Sequence, residues 1–343
     1  MLDEMRNRLQ AYYANAFPMR INPQIGELTS ISAGWESDVY SFVAEHGPAN
    51  ERQSDELILR VYPGDDAYEK SAREFHGMGH LHNAGYPVPE VMRLERDDSP
   101  FDRPFIIMEK IDGRPLWPII NQSPDGEKQA LLTTFCELMV ELHKLDWRPH
   151  VSDVSRFDTG DPYIFVNRYL DFFRPFFERF PMPGFTPVMA WMDERRHLVP
   201  CERPAPIHQD FHPNNVLLRD DGKASVIDWT QIEISDPRFD VAWTLILFTK
   251  PGRIDQRDHV LSEYERISGS AIERLDFFEV VACFKRLGSV AISLIYGPEK
   301  LGMRPEAVNA MKLDMPAHRM VYEHLLERTG IAIPEVEAML EEG

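Results

Sequence analysis

The sequence predicts an α+β protein of two lobes, a small antiparallel β-sheet lobe followed by a larger α-helical one. Three observations predict it. Short apolar runs at 28–31, 39–44, 57–62, 91–94 and 105–108 have strand length and are separated by glycine or polar turns. Between the third and fourth runs lies one helix-patterned stretch, 66–84. Beyond residue 115 the pattern is mainly helical, with short strand-like exceptions at 216–218 and 224–227.

Each element has a local reason. Leu2, Met5, Leu9, Tyr12 and Tyr13 recur at helical spacing, and Pro18 and Pro23 close that segment. Gly34 and the polar stretch 45–55 separate the first three strands. Ala67, Ser71, Phe75, Met78 and Leu81 share one helix face, which Gly85 and Pro87 terminate. Asp112-Gly113-Arg114-Pro115 is a turn, and 131–145 is a strongly amphipathic helix. The aromatic stretch 163–180 is helical but interrupted at Pro175. The expected domains are a helical extension over 1–25, a β-rich nucleotide-binding lobe over 26–110, and an α-rich catalytic and substrate-binding lobe over 111–343. A cleft between lobes is the natural ligand site.

Composition narrows the function. A net charge of −19 argues against nucleic acid, whose phosphates are bound by Lys and Arg clusters. The N-terminus lacks a basic segment followed by an apolar run, and the densest apolar stretch, 241–248, is far too short to span a bilayer. No membrane is expected as a partner. Cys136, Cys201 and Cys283 are far apart and show no metal spacing, as suits buried thiols in a reducing cytoplasm.

The segment His208-Gln209-Asp210-Phe211-His212-Pro213-Asn214-Asn215, followed by Val226-Ile227-Asp228-Trp229, carries the chemistry. Asn215 lies five residues after Asp210, and Asp228 thirteen after Asn215. Phosphoryl transfer needs such a set: a carboxylate to orient and deprotonate a hydroxyl, and two oxygen ligands for Mg²⁺ on a nucleotide triphosphate. Asp210 is the candidate base, Asn215 and Asp228 the candidate metal ligands, and His208 a support of the loop. His208 and His212 form an HxxxH pair, but in a proline-containing loop rather than on a helix face, which disfavours zinc.

With Ser235-Asp236-Pro237-Arg238-Phe239-Asp240 included, this pattern resembles the aminoglycoside phosphotransferase and choline kinase family, whose pattern is close to HGDLHPGN, IDW and GDPxxDLA. Gln209, Asn214 and Ser235 stand where the family has glycine. The resemblance implies a bilobal protein-kinase-like fold and a cytoplasmic kinase that uses ATP and Mg²⁺ on a small-molecule hydroxyl acceptor: an aminoglycoside, choline or a related metabolite. It also implies that Asp240 ties down the backbone of the catalytic loop. Ser32-Ala33-Gly34-Trp35-Glu36-Ser37 lies where kinase-like folds cover the nucleotide phosphates, and Ser37 can bond a phosphate oxygen. Arg60 stands where kinases place the lysine that contacts the α- and β-phosphates; its planar fork departs from a point-like ammonium. Glu74, on the next helix, is its expected partner. By the same resemblance, the Glu109 carbonyl and Ile111 amide of the hinge would meet the adenine edge, with Met108 behind them.

Aromatic residues between 163 and 177 can wall a cationic acceptor or pack helix against helix, and packing is the expectation for most of them. Two other readings stay open. One is a nucleotide-binding pseudokinase acting as a regulatory or partner-binding module, for which Arg60 and the glycine-poor loop leave room. The other is a protein kinase, disfavoured because no long activation segment follows Asp228.

Overall fold

The computed structural model describes residues 2–31, 37–96, 99–148, 151, 153–157 and 160–342. The chain runs α1 (Leu2–Ala16), β1 (Gln24–Ile25), β2 (Thr29–Ser30), β3 (Asp38–His46), β4 (Gln53–Val61), α2 (Ala67–Asn83), β5 (Val91–Glu95), β6 (Phe105–Glu109) and β7 (Arg114–Pro115). Next come α3 (Leu116–Gln122), α4 (Asp125–Lys144), α5 (Ile164–Arg179), α6 (Thr186–Arg195), β8 (Ala205–Ile207), β9 (Val216–Leu218), β10 (Ala224–Val226) and β11 (Glu233–Ser235). The rest is helical: α7 (Arg238–Phe248), α8 (Ile254–Ser268), α9 (Leu275–Tyr296), α10 (Ala307–Leu313), α11 (Met315–Thr329) and α12 (Pro334–Glu342). The chain divides into two units, Met1–Arg114 with Leu217–Gln231, and Pro115–Val216 with Ile232–Gly343.

In the first unit an antiparallel sheet has the order β1-β3-β4-β6-β5, with β2 also on β3. Alternation along β4 turns Leu57, Leu59 and Val61 to one face, where they pack with Phe42, Ala44, Phe105 and Ile107. Leu9 and Tyr13 of α1 close that core, and the Tyr12 hydroxyl donates to Glu95 at 2.7 Å. The segment expected as an extension is thus seated on the sheet by its apolar stripe. Ile58 and Arg60 alternate to the other face of β4. β3 and β4 run further into the polar 45–55 stretch than apolar pattern alone suggests, because pairing continues to His46 opposite Gln53. Arg20 bridges to Asp55 there at 3.0 Å. Residues 32–36, expected to cover the nucleotide phosphates, lie outside the described residues.

Residues 217–231 follow the 208–215 loop in sequence, yet they group with the first unit. Three contacts explain it. Val226 N–H donates to the Pro87 carbonyl at 2.8 Å, Arg219 bonds Glu109 at 2.9 Å, and the fully buried Trp229 meets Tyr86 edge to face.

In the second unit α9 is the central helix, packed by α6, α7, α11 and α12. Its apolar face joins one large core. Pro175 sits inside α5 without ending it. Most α5 aromatics serve packing: Tyr169 stacks on Phe239 at 4.0 Å and Phe177 meets Phe284 at 4.8 Å. Among the described residues no helix is long and apolar enough to cross a membrane.

One ion cluster ties α8, α9 and α11 together. Glu279, 1% exposed, accepts from Arg257 and from Arg328 at 3.0 Å, and His324 Nε2 lies 3.1 Å from its carboxylate. Burial opposes its charge, but His324 and the two arginines hold its carboxyl below the usual value. Glu279→Gln should lower stability by about 2 kcal/mol, since the cations keep their burial and lose their counter-charge. The unfolded chain protonates Glu279 near its ordinary value of about 4.3 and the folded chain lower, so this contribution is whole above that pH and fades as pH falls through the folded value. Urea unfolding at neutral pH and in acid checks this: the gap between wild type and variant should narrow in acid.

Candidate active site

In the second unit, β8 pairs antiparallel with β11, and the chain leaves this ladder directly into the 208–215 loop. Asp240, fully buried in the first turn of α7, holds the loop backbone. Its carboxylate accepts from the His208 amide at 2.7 Å and the Gln209 amide at 2.6 Å. His143 bridges Asp240, at 3.3 Å, and the Tyr264 hydroxyl, at 2.9 Å. Gln209 has φ +65°, the left-handed region where glycine is free of strain. A side chain costs about 1–2 kcal/mol there, offset by the Asp240 bond and by Lys285 donating to the Gln209 carbonyl at 3.4 Å. Asn214 is exposed in the short turn Pro213–Asn215 and has no positive φ, so nothing there calls for glycine.

Asp210 is held at both oxygens. Trp243 Nε1–H donates to Oδ1 at 2.8 Å, and His212 Nε2 lies 3.4 Å from Oδ2. The Asn214 amide donates to His212 Nδ1 at 3.2 Å, which leaves the ring proton on Nε2, toward Asp210. The Asp210 amide donates to the His208 ring at 3.2 Å. Burial would push the Asp210 carboxyl up, but His212 beside one oxygen and the Trp243 bond on the other hold it well below the usual range. Asn215 donates its Nδ2 to the Asp210 carbonyl at 3.0 Å, which leaves Oδ1 as its outward donor atom.

In the first unit, Arg60 uses its guanidinium as a three-way bridge. Nε donates to Ser37 Oγ at 2.9 Å, Nη1 to Glu74 at 2.9 Å and Nη2 to Asp228 at 2.8 Å. Glu74, 1% exposed, also accepts from the Tyr62 hydroxyl at 2.6 Å and from the Trp229 backbone N–H. Burial opposes the charge on Arg60, yet Glu74 and Asp228 raise its proton affinity. Asp228 has φ +69° and a side chain 41% exposed. Trp229 anchors the backbone beside it, its Nε1 donating to the Val226 carbonyl at 2.9 Å. Glu109 ends β6 with its side chain on Arg219, and Met108 and Ile111 are buried beside it. Among the described residues no three His, Cys, Asp or Glu side chains converge as a metal cage.

Sequence reasoning passed over Trp243, His212 as a partner of Asp210, and Tyr62. A signal existed for Trp243: it lies three residues after Asp240 on one helix, hence on the same face.

Residues 27–278 match the model of the phosphotransferase enzyme family. The chain belongs to that family. A solved Ralstonia eutropha protein, provisionally named an aminoglycoside phosphotransferase, superposes with TM-score 0.68 at 18% identity over 94% of this chain and 98% of that one. The gentamicin complex of APH(2″)-IIa gives 0.59 at 18% identity, over 93% and 95%. At these identities the likeness shows the fold, a kinase-like α+β arrangement. Among curated proteins, mouse acyl-CoA dehydrogenase family member 10 is 27% identical over 225 residues, 60% of this chain and 20% of that protein. Chicken family member 11 is 23% identical over 244 residues, 64% of this chain and 31% of its own length. The chain therefore spans well under half of either relative.

Proposed function

We propose that the protein transfers the γ-phosphoryl group of MgATP to a hydroxyl of a small molecule. The observation that carries this reading is Asp210, a carboxylate kept ionised and fixed at both oxygens on a loop pinned by buried Asp240. Such a group accepts the hydroxyl proton at its carboxylate and aligns the nucleophile, the main protein contribution to a reaction that runs on positioning and charge.

The donor set fits Mg²⁺, a hard cation that takes few protein oxygens and fills its shell with phosphates and water. The Asp228 carboxylate and Asn215 Oδ1 would hold it. Bound Mg²⁺ neutralises phosphate charge and fixes phosphate geometry. Arg60 would serve the α- and β-phosphates from a position set by Glu74, and the Ser37 hydroxyl, which accepts from Arg60, would be a further phosphate contact. The Glu109 carbonyl and Ile111 amide would read the adenine edge. Trp243, His212, His208 and Asp240 act through Asp210 as positioning residues.

Asp228→Ala tests the nucleotide half. Titration with MgATP should show affinity reduced by about tenfold or more, with little change for ATP in EDTA. Identical MgATP heats for variant and wild type would count against the assignment. The Arg60 bond to Asp228 keeps the non-catalytic nucleotide-binding reading in view. Acceptor-independent ATP hydrolysis that requires Asp210 separates the two.

A further inference from the structure

The second unit gathers positive charge beside Asp210, against the chain's net charge of −19. Arg286 on α9 donates to Asp314 at 2.8 Å, and Lys250, after α7, lies 3.8 Å from the same carboxylate. Arg253 lies over the Trp117 ring at 4.0 Å, with the Lys250 ammonium at 5.4 Å from it. Trp117 leads back to the loop, its ring 6.1 Å from that of His212, whose Nε2 approaches Asp210. On the other oxygen of Asp210, Trp243 carries the Lys285 ammonium over its ring at 4.4 Å.

Arg286 and Lys250 thus share one carboxylate, with Arg253 beside Lys250 on the Trp117 ring, and the cluster is short of acceptors. Arg286 Nε, Arg253 Nη1 and Trp117 Nε1 are buried without a hydrogen-bond partner among the described residues. Native structures seldom leave buried donors unpaired unless a ligand or ordered water completes them. Burial lowers the proton affinity of Lys250, of Arg253, to about 10, and of Arg286, with Asp314 opposing it at each, and the two arginines add to the lowering at Lys250. The cluster is reachable, with the Lys250 and Asp314 side chains 27% and 37% exposed.

We infer that the acceptor is an anionic hydroxy compound, whose carboxylate or phosphate is bound by Arg253, Arg286 and Lys250 while its hydroxyl meets Asp210. An oxyanion supplies the missing acceptors to a fork-shaped guanidinium and offsets the excess charge. A polyamine-like aminoglycoside or a quaternary amine would meet repulsion at the same place. This assignment of substrate class rests on the phosphotransferase reading; the anion site itself does not.

Calorimetric titration of the whole protein tests it, using malonate and inorganic phosphate at fixed ionic strength, with MgADP saturating and kanamycin as the cationic comparison. Saturable binding of at least one anion is expected, and the tighter one identifies carboxylate or phosphate. Affinity should fall about tenfold in Arg253→Gln and in Arg286→Gln and be retained in Arg286→Lys. Arg253 lies outside the large apolar core, so its variant keeps the test readable if Arg286→Gln fails to fold. The inference is overturned if neither anion saturates, if Arg253→Gln binds anions as wild type does, or if kanamycin binds more tightly than both. MgADP heats are read in the same protein. Anion binding without MgADP binding would sink the phosphotransferase reading alone, and MgADP binding without anion binding would sink this inference alone.

Discussion

Asp210→Ala should lower kcat by about a thousandfold or more while leaving MgATP affinity within a few-fold of wild type. The split follows from what Asp210 touches. Its contacts are Trp243, His212 and its own loop, all in the second unit, whereas Arg60, Glu74 and Asp228 are bonded to one another in the first. Removing the carboxylate takes away the hydroxyl's proton acceptor and leaves the Arg60 cluster untouched. Asp210→Asn is the sharper variant. It keeps the shape and the Trp243 bond, but it sets an amide NH₂ opposite the His212 N–H, so both the base and its alignment are lost. Trp243→Phe, which removes one donor and preserves the ring that carries Lys285, should cost only about tenfold in kcat. A coupled ADP-release assay with parallel MgATP titrations reads all three. Wild-type turnover in Asp210→Ala would remove the central role assigned to this residue.

The elements legible in the sequence are those whose signal is local. Alternation in 57–61, the helical stripe of 67–81 and the proline-containing segment 208–213 each belong to one short window, and the structure has a strand, a helix and a loop there. What escaped depends on partners distant in sequence. The ends of β3 and β4 are polar and hold because each strand pairs with the other. Pro175 stays within α5, where Phe173 and Phe177 on either side pack against Phe284 of α9. Gln209 looked like a simple loss of glycine. Only with Asp240 and Lys285 in place is it clear what holds a side chain at φ +65°. Likewise Arg60 reads as a substituted lysine in sequence, while its fork joins Ser37, Glu74 and Asp228, the last of them 168 residues further along the chain.

That fork sets the second large effect. Glu74→Ala should destabilise the first unit by about 3–5 kcal/mol, because it leaves a buried guanidinium, the Tyr62 hydroxyl and the Trp229 amide without their acceptor. Arg60→Met should cost a similar amount for the converse reason, a carboxylate 1% exposed that has lost its cation. The double variant Arg60→Met with Glu74→Leu removes both charges and should recover much of the loss, since packed apolar groups carry no desolvation penalty. Stability and function then part company. If Arg60 serves nucleotide phosphates, the double variant melts well above either single variant yet binds MgATP poorly. Arg60→Lys gives the converse pattern: one ammonium cannot reach three acceptors at once, so stability falls while a phosphate-binding charge remains. Thermal unfolding of the four variants, read beside MgATP titrations, settles the matter. A double variant that regained both melting temperature and MgATP affinity would make Arg60 a structural group and leave the phosphates to other side chains.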